Sequence, residues 1–232
     1  MISLRKSEER GWADHGWLKS AHTFSFANYH DPEQMGWGPL RVINQDQIEG
    51  GSGFGTHPHR DMEIISYVLE GSLIHRDSMD NHTVIKPGEV QVMSAGTGVR
   101  HSEFNGSPDK VARFLQIWIE PSQRGLSPSY GQKDFAPQAH EPLILVASSD
   151  GRAGSLPIRQ SAQIWLARAA RPGAMALPIA PDRKGWLQLI EGRMNCGQHQ
   201  LGPGDALRIR DEASPKVEIL ETSHFLLFDL PS

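Results

Sequence analysis

One short pattern occurs twice in this chain and limits the folds open to it. Tyr67-Val-Leu-Glu-Gly71 followed by Lys86-Pro-Gly-Glu-Val90 resembles Gln188-Leu-Ile-Glu-Gly192 followed by Gly202-Pro-Gly-Asp-Ala206. Each copy reads as a strand, a tight turn, a return strand and a Pro-Gly turn into the next strand. The second hairpin is shorter. The matched order implies two copies of one β-barrel, and the rest of the chain agrees. Strand-sized runs lie at 40–44, 63–69, 90–94, 113–119, 143–146, 164–168, 186–190, 206–209, 217–220 and 225–229, separated by turn residues. With 23 glycines and 16 prolines in the gaps, a helix has room only near Leu18 or in short turns. The stretch from Pro121 to Pro137, rich in Pro, Ser and Gly, reads as the connector. Two units are therefore expected, 1–135 and 136–232.

The 232 residues are enough for two small cores, and a formal net charge of −4 without a basic stripe argues against direct nucleic-acid binding. A single cysteine, Cys196, excludes an intramolecular disulfide framework. No apolar run approaches membrane-spanning length, and the opening residues lack the apolar core of a signal peptide. A cytoplasmic monomer without membrane contact is expected.

The first copy carries the chemistry. In Gly55-Thr-His57-Pro-His59 two imidazoles stand at i and i+2, which on a strand is one face. Val99-Arg-His101-Ser-Glu103 repeats the spacing with an imidazole and a carboxylate. Singly, either pair is ordinary polar chemistry. Together, aimed into one barrel, they could bind one divalent transition metal, and three imidazoles plus a carboxylate leave open positions on an octahedral ion. Fe(II), Ni, Co, Cu, Mn and Zn all suit such donors. His57, His59, His101 and Glu103 are the expected ligands.

His15, His22, His30, His75, His82, His140, His199 and His224 lack this pairing and read as surface or hydrogen-bonded histidines. Cys196 reads as incidental. Carrying the offsets of His57, His59, His101 and Glu103 onto the second copy lands on Pro178, Ala180, Val217 and Ile219, none of them a ligand. The second barrel should be metal-free, with a structural task.

Several segments resemble the pirin-like bicupins, among them the bacterial quercetin 2,3-dioxygenases. They are His22-Thr-Phe-Ser-Phe26 with Tyr29 and Asp31-Pro32, Gly55-Thr-His-Pro-His59, Tyr67-Val-Leu-Glu-Gly71, Gly96-Thr-Gly-Val-Arg-His-Ser-Glu103 with Asn105, and Gln116-Ile-Trp118. The resemblance implies an all-β bicupin, two tandem jelly-roll-type cupin barrels with few short helices. It implies iron at His57, His59, His101 and Glu103. Where the wider cupin pattern has a glutamate ligand this chain has Ile64; Glu63, one step off, would at most support the ligands from behind.

Two functions follow from the resemblance. One is a dioxygenase that opens the central ring of a flavonol with O2 and releases carbon monoxide, Glu103 serving as catalytic base. The other is a non-catalytic, redox-sensing metal protein that docks a transcription factor or metabolic enzyme. An apolar cavity above the metal, of roughly 300–1,000 Å³, would favour the enzyme.

Overall fold

A computed structural model describes residues 1–138 and 141–232. Among them the regular structure is all strand, apart from three single 3-10 turns at Ser7–Glu9, Ala136–Gln138 and Arg152–Gly154. Leu18–His22, where the sequence left room for a helix, is a strand. Its alternation of exposed Lys19 between buried Leu18 and Ser20 suits a wall with one face in the core.

Each half pairs one seven-stranded sheet with one four-stranded sheet. In the first half the large sheet runs in the order Ser129–Asp134, Glu89–Ser94, Glu63–Glu70, Ala112–Ile119, Leu40–Ile48, Leu18–His22, Gly11–Asp14. The small sheet runs Gly53–His59, Val99–Asn105, Leu73–Asp77, His82–Ile85. The second half repeats the small sheet as Gly173–Ala176, Lys216–Ile219, Met194–Cys196, His199–Leu201. The repeat read from sequence is thus a repeat of topology. Its four turn glycines, Gly71, Gly88, Gly192 and Gly204, all have φ between 73° and 95°, a region that side-chain-bearing residues avoid.

One strand crosses over. Ile2–Arg5 pairs with Ala206–Ile209 at the edge of the second half's large sheet, although it opens the chain. It covers an edge that would otherwise present unpaired backbone groups.

Alternation along the strands divides the core. In Ala112–Ile119, Leu115, Ile117 and Ile119 point outward and join Trp186, Leu226 and Phe228 of the second half in one cluster between the large sheets. Phe114 belongs to the interior of the first barrel, with Leu18, Ile48, Val68, Leu73 and Ile85. A smaller cluster, Ile64, Met93, Ala95 and Val99, is packed by Trp118. The second barrel is filled by aliphatic and aromatic side chains such as Leu187, Leu207, Leu227 and Phe225.

Candidate metal centre and pocket

Three neighbouring strands of the small sheet supply the site. His57 stands directly opposite His101, and His59 opposite Val99; a bulge then shifts the register so that Glu103 faces Phe54. Bulges re-aim side chains at such places. Gly53–His59 is an edge strand, which is why Pro58 fits between the two histidines. On the other side His101 faces Asp77 and Glu103 faces His75.

The rings of His57, His59 and His101 meet with centroids 4.5 to 4.9 Å apart, and one nitrogen from each lies within 4.8 Å of the others. His75, His101 and Glu103 satisfy the same 4.8 Å limit, so the predicted donors divide into two groups that share His101. His75, read from sequence as a surface or hydrogen-bonded histidine, does bond Asp77, and it also stands within ligating reach of His101 and Glu103. Its signal was present: His75-Arg-Asp77 has the same i, i+2 spacing as the two chosen pairs. Its Nε2 lies 2.9 Å from Asp77 Oδ2, with both side chains fully buried.

His59 Nε2, both ring nitrogens of His101 and His75 Nδ1 are buried without a hydrogen-bond partner. Buried polar atoms left unpaired cost free energy, and inward-facing lone pairs on converging imidazoles are the state a metal ion satisfies. His57 is oriented by its Nδ1, 2.8 Å from the Gly55 carbonyl oxygen. Burial, then the proximity of His57, pushes His59 down to about 4. Burial first, then His57, His59 and His75, lowers His101 further. Neutral imidazoles are the ligating form. The residues present could hold a divalent ion.

Glu103 is fully enclosed. The Ser66 hydroxyl lies 2.9 Å from its Oε1, and Gln116 Nε2 donates to Oε2 at 3.2 Å. Burial raises its carboxyl to about 7, opposed by the Ser66 bond, assisted by nearby Asp46 and opposed again by Gln116. Glu63 is elsewhere in purpose: its Oε2 accepts from the Ser94 hydroxyl at 2.7 Å and from the Arg159 N–H at 3.0 Å, tying the two halves together.

A cavity of about 660 Å³ opens beside the cluster, lined by His57, His59, Glu103 and Gln116 and walled by Trp12, Trp17, Phe26, Tyr29, Phe54 and Trp118. His15, His22, Ser20, Asn44 and Asp46 also line it, and sequence reasoning assigned none of them to a site. The signal for His22, Phe26 and Tyr29 was the N-terminal motif that carried the family resemblance. Of the remaining histidines, His224 lies 2.8 Å from the Tyr67 hydroxyl and His199 3.3 Å from the Ile2 carbonyl oxygen, while His140 lies outside the described residues. Cys196 is buried, its thiol pushed up by that burial.

Strand pairing corrects the equivalences in the second barrel. Met175 faces Val217 as His57 faces His101, and Leu177 N bonds Pro215 O one step further on, so Met175 and Leu177 replace the expected Pro178 and Ala180. Turn lengths differ between the copies, so counting along the chain slips where hydrogen-bonded register does not. Ile219 faces Met194 as Glu103 faces His75. All are apolar.

The family model described as Pirin matches residues 3–119, which include all four predicted ligands. The chain belongs to the pirin family. A second model, the quercetinase C-terminal cupin domain, matches residues 145–230. A quercetin 2,3-dioxygenase of Escherichia coli K12 is 47% identical over 231 residues, covering 100% of this chain and 99% of the relative. A pirin-like protein of Caulobacter vibrioides is 40% identical, with 99% of each chain covered. The crystal structure of YhhW from Escherichia coli superposes with a TM-score of 0.96 at 47% identity, covering 100% of this chain and 98% of that one. A structure of the bacterial pirin YhhW in complex with nickel(II) superposes with a TM-score of 0.95 at 47% identity, covering 100% and 99%.

Proposed function

We propose that the chain is a metal-dependent dioxygenase that cleaves the central ring of a flavonol with O2 and releases carbon monoxide. His57, His59, His101 and Glu103 would hold one ion, Fe(II) being the assignment we favour. The observation that carries this reading is the convergence of three imidazoles, with unpaired nitrogens among them, on the wall of an aromatic cavity of about 660 Å³. That volume suits a three-ring ligand. The name of the Escherichia coli relative, quercetin 2,3-dioxygenase, supports the same substrate class.

A bound divalent ion would supply a Lewis acid that makes the flavonol 3-hydroxyl acidic near neutral pH, and a redox centre for O2. The aromatic walls hold the flat substrate and keep water from it. Glu103 takes the 3-hydroxyl proton on a carboxylate oxygen, the part of a general base. Ser66 and Gln116 fix the carboxylate while it does so. We further assign the metal chemistry to residues 1–135 and a structural role to 136–232, which cover the outer face of the first large sheet.

Iron-loaded protein given quercetin in air should bleach the flavonol absorbance and release carbon monoxide in step. No turnover with any first-row metal would leave the non-catalytic docking role in its place.

A further inference from the structure

The same cavity carries a polar ledge that neither holds the ion nor receives the proton, although Asp46 lies near enough to Glu103 to help raise its carboxyl. It is built from two cross-strand pairs, Ser20 opposite Asp46 and His22 opposite Asn44, on strands Leu18–His22 and Leu40–Ile48. All four side chains are at least nine-tenths buried and line the cavity. The Ser20 hydroxyl donates to Asp46 Oδ1, and His22 Nδ1 donates to Asn44 Oδ1 at 2.9 Å. With Nδ1 carrying the hydrogen, His22 Nε2 is a lone-pair acceptor. Among the described residues neither that atom nor Asp46 Oδ2 has a protein donor. With Asp46 ionised, the ledge therefore offers two acceptors to whatever fills the cavity, which Trp17 and Phe26 also line.

We propose that this ledge recognises phenolic hydroxyl groups of the substrate other than the one at the metal, and so selects polyhydroxylated flavonols. The inference rests on the flavonol reading of the site. Unpaired acceptors in an enclosed pocket discriminate strongly, because a ligand without the matching donor leaves them desolvated and unsatisfied.

The test is a binding measurement that needs no turnover. Tryptophan quenching of the nickel(II)-loaded full chain at pH 8, under nitrogen, is titrated with 3-hydroxyflavone, which has no other hydroxyl, and with quercetin. Quercetin should bind at least about tenfold more tightly. Asp46→Asn and His22→Phe should each shrink that ratio to about threefold or less while leaving the 3-hydroxyflavone Kd within about twofold, which also shows that the pocket is folded. Retention of the full preference in both variants overturns the proposal. So does equal binding of the two flavonols by the unmodified protein, a comparison that stands even if a variant fails to fold. Binding of neither flavonol overturns the flavonol reading itself, a different and recognisable result.

Discussion

Glu103 and Asp46 are buried carboxyls in one pocket wall with different neighbours, and the difference assigns them different work. Glu103 receives bonds from Ser66 and Gln116 and sits beside His101. Glu103→Gln keeps the size and a carbonyl oxygen, and the three imidazoles already meet without it. Metal content should fall little while turnover per bound ion drops by roughly 10² to 10⁴, with partial recovery at high pH where the flavonol has shed its proton unaided. Activity lost only in proportion to metal would make Glu103 a ligand and nothing more. Asp46 titrates in a window that overlaps that of Glu103. Burial lifts its carboxyl from the ordinary range to about 7, against the Ser20 bond. Between about pH 4 and 7 the native state keeps a proton that the unfolded chain has released, so this group's contribution to stability is full below the window and lost as pH rises through it. The slope is at most about 1.4 kcal/mol per pH unit. Asp46→Asn removes the slope, so the melting temperature of the metal-free variant relative to wild type should climb between pH 4.5 and 7.5. A constant difference would place Asp46 at an ordinary carboxylate value.

Among the elements, the hairpins of the two copies show how little of a barrel's chemistry resides in its turns. Gly71 and Gly192 end corresponding strands with φ of 73° and 89°. At Gly192 an added Cβ would lie 2.4 Å from the Thr222 carbonyl oxygen and 2.7 Å from Ser223 Cα, whereas at Gly197, with φ of 57°, it would meet nothing within 4 Å. Gly197→Ala should therefore cost only the backbone strain, about 1 kcal/mol, and Gly192→Ala clearly more because the facing backbone must move. Thermal unfolding of the two variants tests this; equal losses would mean that the turn relaxes freely. The turns set where strands pair. What the barrel does is written on the strand faces, where His57, His101, Glu103 and His75 in one copy stand in place of Met175, Val217, Ile219 and Met194 in the other.

In the whole molecule the two barrels lie with their large sheets face to face, sharing one apolar cluster and a polar bridge in which Tyr67 meets His224 and Arg168. Filling the second barrel with apolar side chains makes that half a packed support. Elemental analysis of iron-loaded protein should approach one ion per chain, and His57→Ala or His101→Ala should empty the site without unfolding the protein, since the core clusters do not pass through it. Two ions per chain would contradict the asymmetry of the repeat. The sequence by itself determined the β class, the duplication and the two imidazole-bearing dyads, because alternation, turn glycines and i, i+2 spacing are local properties of a strand. It could not bring His75 to His101, aim Glu103 at Ser66 and Gln116, or gather Ser20, His22, Asn44 and Asp46 into one cavity. It also misjudged Met175 and Leu177 and hid the passage of Ile2–Arg5 to the far sheet. Those depend on register and on which edge needs covering, and both are fixed only when distant strands pair.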